Sequence, residues 1–293
     1  MSEHEDARCF ACVLLEASQT SSRRRTTNTG VVVGAPSPKT DAQYGKITSG
    51  GNGVVTVTGY GGTVVAPATP DYVSSNNFLQ CSGVFTSGSD AMITSGGAGK
   101  VTVSGTGGGP ASNNTGSVGV SVYGTANGGI LGGPGASVEV TGRGSEAAGS
   151  GCRDNYGVYV FQGKIKAGVG AGTTRVTGYG GYPATGTGFN YGIRLHTSAT
   201  ITSDGSGSVT VIGHGANAGN NNAGIHAQSL SSISSGGGEV RVEGNGGGSG
   251  GGESGTFCHG ITVNICSFIT AGGTGNVTVI GRGGEQSQCD CWQ

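Results

Sequence analysis

The residues most able to do chemistry in this chain are thinly spread. His214 sits between two glycines in the stretch VTVIGHGANA, residues 209–218. A histidine so placed could serve as a general acid or base. Cleaving a glycosidic bond also needs two carboxyl groups flanking it. The chain has 16 acidic residues, many of them in the tails or loops, and no Asp-Asp pair or Asn-Thr-Asp segment that would fall on neighbouring strands. Eight cysteines form three groups: Cys9 with Cys12, Cys289 with Cys291, and Cys81, Cys152, Cys258 and Cys266 between them. The two terminal pairs have the thiolate number of a zinc site. Glycine turns such as Gly50-Gly51-Asn52-Gly53 and Gly272-Gly273-Thr274-Gly275 resemble a calcium-binding nonapeptide. That motif needs Asp two residues past the last glycine, where this chain has Val55, Val101 and Val277. Valine offers no oxygen to Ca²⁺.

What positions these residues is a repeat of about 36 residues. A V-x-V segment closed by glycine recurs seven times, at Gly59, Gly105, Gly142, Gly178, Gly213, Gly244 and Gly281. Upstream of each lies an isoleucine, from Ile47 to Ile269. Upstream again lies a glycine that opens an alternating segment, as in GVVV at Gly30, GVYV at Gly157 and GITV at Gly260. Each unit thus predicts three short strands and one connection of variable length. Alternation sets the inward side chains. In the third segment, 13 of the 14 inward positions are Val, and the exception is Thr174. A single unit cannot bury such a face, but stacked neighbours can. The expectation is an all-β parallel β-helix, right-handed, of about seven three-strand coils over residues 28–284. A β-propeller is disfavoured, because its blades are antiparallel and four-stranded. The closing glycines are expected where φ is positive or two backbones approach closely. The variable connections, longest over 63–80, should lie on one flank.

The repeat reassigns the chemical motifs. His214 occupies a corner position that holds Tyr60, Thr106, Arg143, Tyr179, Asn245 and Arg282 in the other units. It is one member of a series, so Gly-His-Gly, a tripeptide found in polygalacturonase-like β-helix glycosidases, is not expected to be catalytic here. The terminal cysteine pairs fall at opposite ends of the stack, so no metal is expected, and no cofactor. Cys81 and Cys258 share one position but lie five coils apart, about 24 Å at the ~4.8 Å strand spacing, too far for a disulfide. Charges among the outward third-segment positions, such as Arg175 and Glu139, break up the uniform Thr array an ice-binding face would need. What survives is a surface. The outward first-segment positions are Val32, Phe85, Ser121, Tyr159, Arg194, His226 and Thr262. With the corner series they predict an aromatic and hydrogen-bonding ladder suited to a sugar or peptide. The candidate binding residues are Tyr159, Tyr179, Arg194, His214, His226 and Arg282.

Composition limits the partners. Of 293 residues, 65 are glycine and only seven proline, with Val, Ile and Thr packed between the glycines, which suits short strands and turns. Formal net charge is −1, leaving no basic field for nucleic acid or anionic lipid. No apolar run approaches the ~18 residues of a membrane span. Residues 1–27 form a tail in which Phe10, Val13, Leu14 and Ala17 share one face at helical spacing, predicting a short helix that caps the stack. The first residues are acidic, and the apolar stretch breaks at Glu16, which is not the pattern of a signal peptide. Residues 285–293 are a second tail with only Trp292 to cover that end, so the chain is expected to be a piece of a longer surface protein or one with a misplaced start.

The segments ITSGGAGKVTVSGTGGG at 93–109, NYGVYV at 155–160 and NYGIRL at 190–195 resemble repeats of large bacterial surface proteins of the filamentous-haemagglutinin-like and autotransporter-passenger kind. The resemblance spans residues 30–284. It implies a solenoid that is a rigid stalk or adhesive surface rather than an enzyme, located at the cell surface or outside the cell, with a surface glycan or protein as partner. The competing reading is a polysaccharide-cleaving β-helix enzyme.

Overall fold

The computed structural model describes residues 12–14, 29–34, 45–62, 81–109, 116–124, 127–146, 154–181, 189–216, 221–247 and 258–284. Every strand pairing in its three sheets is parallel, the order in each sheet follows the repeat, and no helix occurs among the described residues. The first sheet holds β2 (Val31–Gly34), β5 (Val84–Ser87), β8 (Ser117–Tyr123), β11 (Asn155–Phe161), β14 (Ile193–His196), β17 (Ile225–Gln228) and β20 (Ile261–Val263). The second holds β3 (Lys46–Ser49), β6 (Met92–Ser95), β9 (Gly129–Leu131), β12 (Lys164–Ala167), β15 (Thr200–Ser203), β18 (Ser232–Ser235) and β21 (Phe268–Ala271). The third holds β1 (Cys12–Leu14), β4 (Val55–Tyr60), β7 (Val101–Thr106), β10 (Val138–Arg143), β13 (Thr174–Tyr179), β16 (Val209–His214), β19 (Val240–Asn245) and β22 (Val277–Arg282). The chain is an all-β parallel solenoid.

Register is carried by identical residues stacked on one another. Ile93, Ile130, Ile165, Ile201 and Ile233 pair in turn through the second sheet and are fully buried. The inward valines of the third sheet join them in one core. Burial comes from the neighbouring coil: Val240 and Val242 are 0 % exposed, whereas Val277 and Val279, in the same positions on the last described strand, are 45 % and 50 % exposed. Each buried Val or Ile contributes roughly 1.5–3 kcal/mol, so the stack is stabilised coil by coil. Thr174, the odd residue in the valine row, is buried and satisfied: its Oγ1 donates to Thr202 O at 2.6 Å and accepts from Ala167 N at 2.9 Å.

The repeated glycines are explained by contact between backbones. A Cβ built on the closing glycines Gly105, Gly142, Gly178 and Gly213 would lie 2.0–2.1 Å from the carbonyl oxygens of Gly119, Gly157, Gly192 and Gly224, the glycines that open the next first-sheet strands. The opening glycines are as tightly held, since a Cβ on Gly157 or Gly192 would lie 2.2 or 2.3 Å from the backbone nitrogen of Tyr179 or His214. Of the two reasons expected for the closing glycines, close approach is the one that applies; none has a positive φ. One position further on, each closing glycine is followed by the corner residue.

A buried polar row locks the same region. Asn155, Asn190 and Asn222 are each 0 % exposed, two residues before successive opening glycines. Asn155 Nδ2 donates to Asn190 Oδ1 at 3.3 Å, and Asn190 Nδ2 donates to Asn222 Oδ1 at 3.1 Å.

The N-terminal helix expectation is corrected at residues 12–14. Cys12–Leu14 is a strand paired with Thr56–Thr58 of β4. A helix would leave the backbone groups of β4 exposed along an open edge, and so short a helix is marginal. Phe10 and Ala17 lie outside the described residues, as do the connection at 63–80 and the tail at 285–293.

Candidate functional site

The corner series is a continuous ladder running across five strands of the third sheet. Register places Arg143, Tyr179, His214, Asn245 and Arg282 beside one another in that order. The guanidinium of Arg143 lies over the Tyr179 ring, 4.1 Å from its centroid. Tyr179 and His214 stack with centroids 4.9 Å apart and planes 6° apart. Asn245 Nδ2 lies 3.2 Å from His214 Nδ1, and Arg282 Nη1 donates to Asn245 Oδ1 at 3.3 Å. With Asn245 oriented by that Arg282 contact, its amide donates to Nδ1, which puts the His214 proton on Nε2. Burial lowers the His214 pKa; the Glu243 carboxylate draws it back up and Arg143 pushes it down again. The imidazole is therefore neutral at neutral pH.

A cleft of about 280 Å³ opens along this ladder, lined by Arg143, Glu146, Tyr179, His214 and the small residues Gly144, Gly180, Gly215 and Ala216. The small residues follow the corner in each coil and leave room above it. Among the described residues, Glu146 is the one carboxylate in the lining.

Three of the six residues expected to bind, Tyr179, His214 and Arg282, are thus brought together. The other three, Tyr159, Arg194 and His226, fall in a separate row of the first sheet. That row was expected to be an open surface, and its middle is not. Phe85, Ser121 and Tyr159 are 1 %, 0 % and 4 % exposed, and Arg194 and His226 are half-buried. Tyr159 belongs to a second apolar cluster with Val118, Tyr156, Tyr191 and Ala223. The Arg194 guanidinium lies 5.3, 5.7 and 6.0 Å from the rings of Tyr156, Tyr159 and Tyr191. It donates to Tyr156 Oη, whose hydroxyl donates to Asp154 Oδ1 at 2.7 Å. Burial raises all three tyrosine pKa values against the pull of Arg194, Tyr191 to about 12. Burial, then Arg194, His196 and His259, press His226 down to about 4. The Arg194 cation is thus caged by three tyrosine rings, with the neutral His226 imidazole in the next strand. The repeated Asn-Tyr-Gly at 155–157 and 190–192 was the sequence signal for it, since it sets Tyr156 and Tyr191 in the same position of adjacent coils.

Beside the cage lies a half-exposed aromatic row that the alternation argument passed over. Tyr123, Phe161 and His196 pair in register and stack at 4.5 and 5.3 Å. Arg143 and Glu146 were also missed as site residues, although Arg143 was visible in the corner series.

Among the described residues no three His, Cys, Asp or Glu side chains gather as metal ligands. The calcium-motif position is taken by Val55 and Val101, which are buried in the core. Cys258 and Cys266 are free thiols, half-buried and exposed, while Cys81 is buried. Among the described residues no helix is long and apolar enough to cross a membrane. No protein-family model matches the chain, and no curated protein and no solved structure matches it.

Proposed function

We propose that this chain is a non-enzymatic β-solenoid module acting at the cell surface or outside the cell, a structural and adhesive element of a longer protein whose corner ladder binds a surface glycan or protein. One observation carries the reading: Arg143, Tyr179, His214, Asn245 and Arg282 form an unbroken polar and aromatic row, and the first three of them line an open cleft. A cleaving enzyme would need a second carboxyl group across that cleft from Glu146, and among the described residues the lining supplies none. Seven strands in each of two sheets support a count of seven coils, and we take their winding as right-handed, the hand of nearly all crossovers between parallel strands of one sheet.

The test has two arms. Protease shaving of intact cells should release peptides from 45–284, and the parent antigen should exceed 28.5 kDa. Binding of the purified chain to immobilised cell-surface glycans and proteins should be lost in Tyr179→Ala and His214→Ala. A protease-protected 28.5 kDa species would remove the surface assignment. Release of reducing ends from an acidic polysaccharide, abolished by His214→Ala, would replace the binding reading with an enzymatic one.

A further inference from the structure

The ladder also specifies the kind of ligand it can take. Both faces of the Tyr179 ring are occupied, one by the Arg143 guanidinium and the other by His214. A sugar ring therefore cannot stack on Tyr179, and the row meets a ligand with its edges and polar tips. Those tips are donors. Arg143 has five N–H groups and no acceptor, Tyr179 has its hydroxyl, His214 has its Nε2–H, and Arg282 keeps the N–H groups not used on Asn245. Arg143 and Arg282 are exposed, and Tyr179, His214 and Asn245 are half-buried, so a ligand can reach all five without opening the core.

The charges agree. Two guanidinium groups stand at the ends of the row. Glu243, on the same sheet, is paired with Arg241, and among the described residues Glu146 is the negative group lining the cleft. Register sets one donor residue per strand, and Arg143 and Arg282 are separated by four strand steps, about 19 Å at ~4.8 Å per step. A ligand that uses the whole row must be acceptor-rich, negatively charged and extended along the stack for that length.

We propose that the corner ladder is a binding track for a linear, carboxylate-bearing polysaccharide lying parallel to the solenoid axis, with Arg143 and Arg282 holding carboxylates and Tyr179 and His214 donating to ring or hydroxyl oxygens between them. Guanidinium suits this role because its planar fork matches a carboxylate bidentately. The inference rests on the binding reading above and narrows its ligand to one class.

Alginate oligomers of graded length, neutral dextran, dextran sulfate and poly-glutamate are the probes, with affinity measured by calorimetry or surface binding. Alginate should bind, more tightly as the chain lengthens until it spans the row, and affinity should fall as salt rises. Arg143→Gln with Arg282→Gln should weaken alginate binding at least tenfold while leaving the unfolding midpoint in place. Glu146→Gln should tighten it by a few-fold. Equal binding of dextran, dextran sulfate or poly-glutamate would overturn the carboxylated-sugar assignment, as would alginate binding unaffected by the double Arg substitution. If alginate fails but another glycan or protein binds in a manner lost with Tyr179→Ala, this inference falls and the broader binding reading stands. If nothing tested binds, both fall.

Discussion

Replacing Gly178 by alanine tests the account of the corner most directly. The added Cβ would sit 2.1 Å from Gly192 O, 2.5 Å from Ile193 Cγ1 and 2.7 Å from Gly192 C. An ordinary carbon–oxygen contact is about 3.3 Å or more, so the two backbones must part by roughly 1 Å. Gly192 cannot yield cheaply. Its N–H donates to Ala223 O at 3.1 Å and the next N–H to Gly224 O at 2.9 Å, so moving it strains the adjoining coil as well. Overpacking a core costs about 1–3 kcal/mol when side chains can adjust; here backbone must move, and we expect about 3 kcal/mol or more. Two controls separate this cause from the generic effect of replacing glycine. Gly50 has nothing within 4 Å of its built Cβ and no positive φ, so Gly50→Ala should be neutral or stabilise by up to about 1 kcal/mol. Gly170 also has open space but a φ of +107°, so Gly170→Ala should cost about 1–3 kcal/mol through backbone strain alone. Urea unfolding followed by circular dichroism gives the ranking, provided the slope with denaturant is unchanged. If Gly178→Ala lies within about 0.5 kcal/mol of the parent, the range of an ordinary surface substitution, or costs less than Gly170→Ala, the close-approach explanation of the repeated glycines is refuted.

Asn190→Ala should destabilise by about 2–4 kcal/mol, because it removes both the acceptor of the buried Asn155 amide N–H and the donor to the buried Asn222 amide oxygen; a loss under about 1 kcal/mol in the same assay would show the row to be incidental. His226 has its folded pKa depressed from 6.5 to about 4, so the unfolded chain takes up its proton first as pH falls. Its stabilising contribution is present above pH 6.5 and is lost between about pH 6.5 and 4, an effect of about 1–3 kcal/mol. His226→Gln should flatten that part of the stability–pH curve, and an unchanged curve would contradict the buried neutral imidazole. Of Cys81, Cys258 and Cys266, a thiol reagent under native conditions should modify Cys266 first, Cys258 more slowly and Cys81 only on unfolding, as read by peptide mass mapping; early labelling of Cys81 would contradict its burial.

Much of the architecture was legible in the linear chain because it is local information repeated. Alternation of Val with Thr or Glu decides which side chains face inward, and the recurrence of Ile at one phase decides that coils stack in register. Both follow from the two-residue period of a strand, and neither depends on distant contacts. The corner series was legible for the same reason, and with it His214 as one rung among several. Other features depend on which atoms meet across the chain. Tyr159 alternates outward, yet it is buried, because Tyr156 and Tyr191 fold beside it around Arg194. The spacing of Val13 and Leu14 suits a helix, yet Cys12–Leu14 is a strand, because β4 offers unpaired backbone groups along its edge. Spacing names the residues on a corner, but not that Arg143 and His214 would cover both faces of Tyr179 and leave donors as the row's free chemistry. Period and composition act along the chain, whereas burial, the partner of each polar atom and the faces left open arise only when coils some 36 residues apart are brought to within one strand spacing of each other.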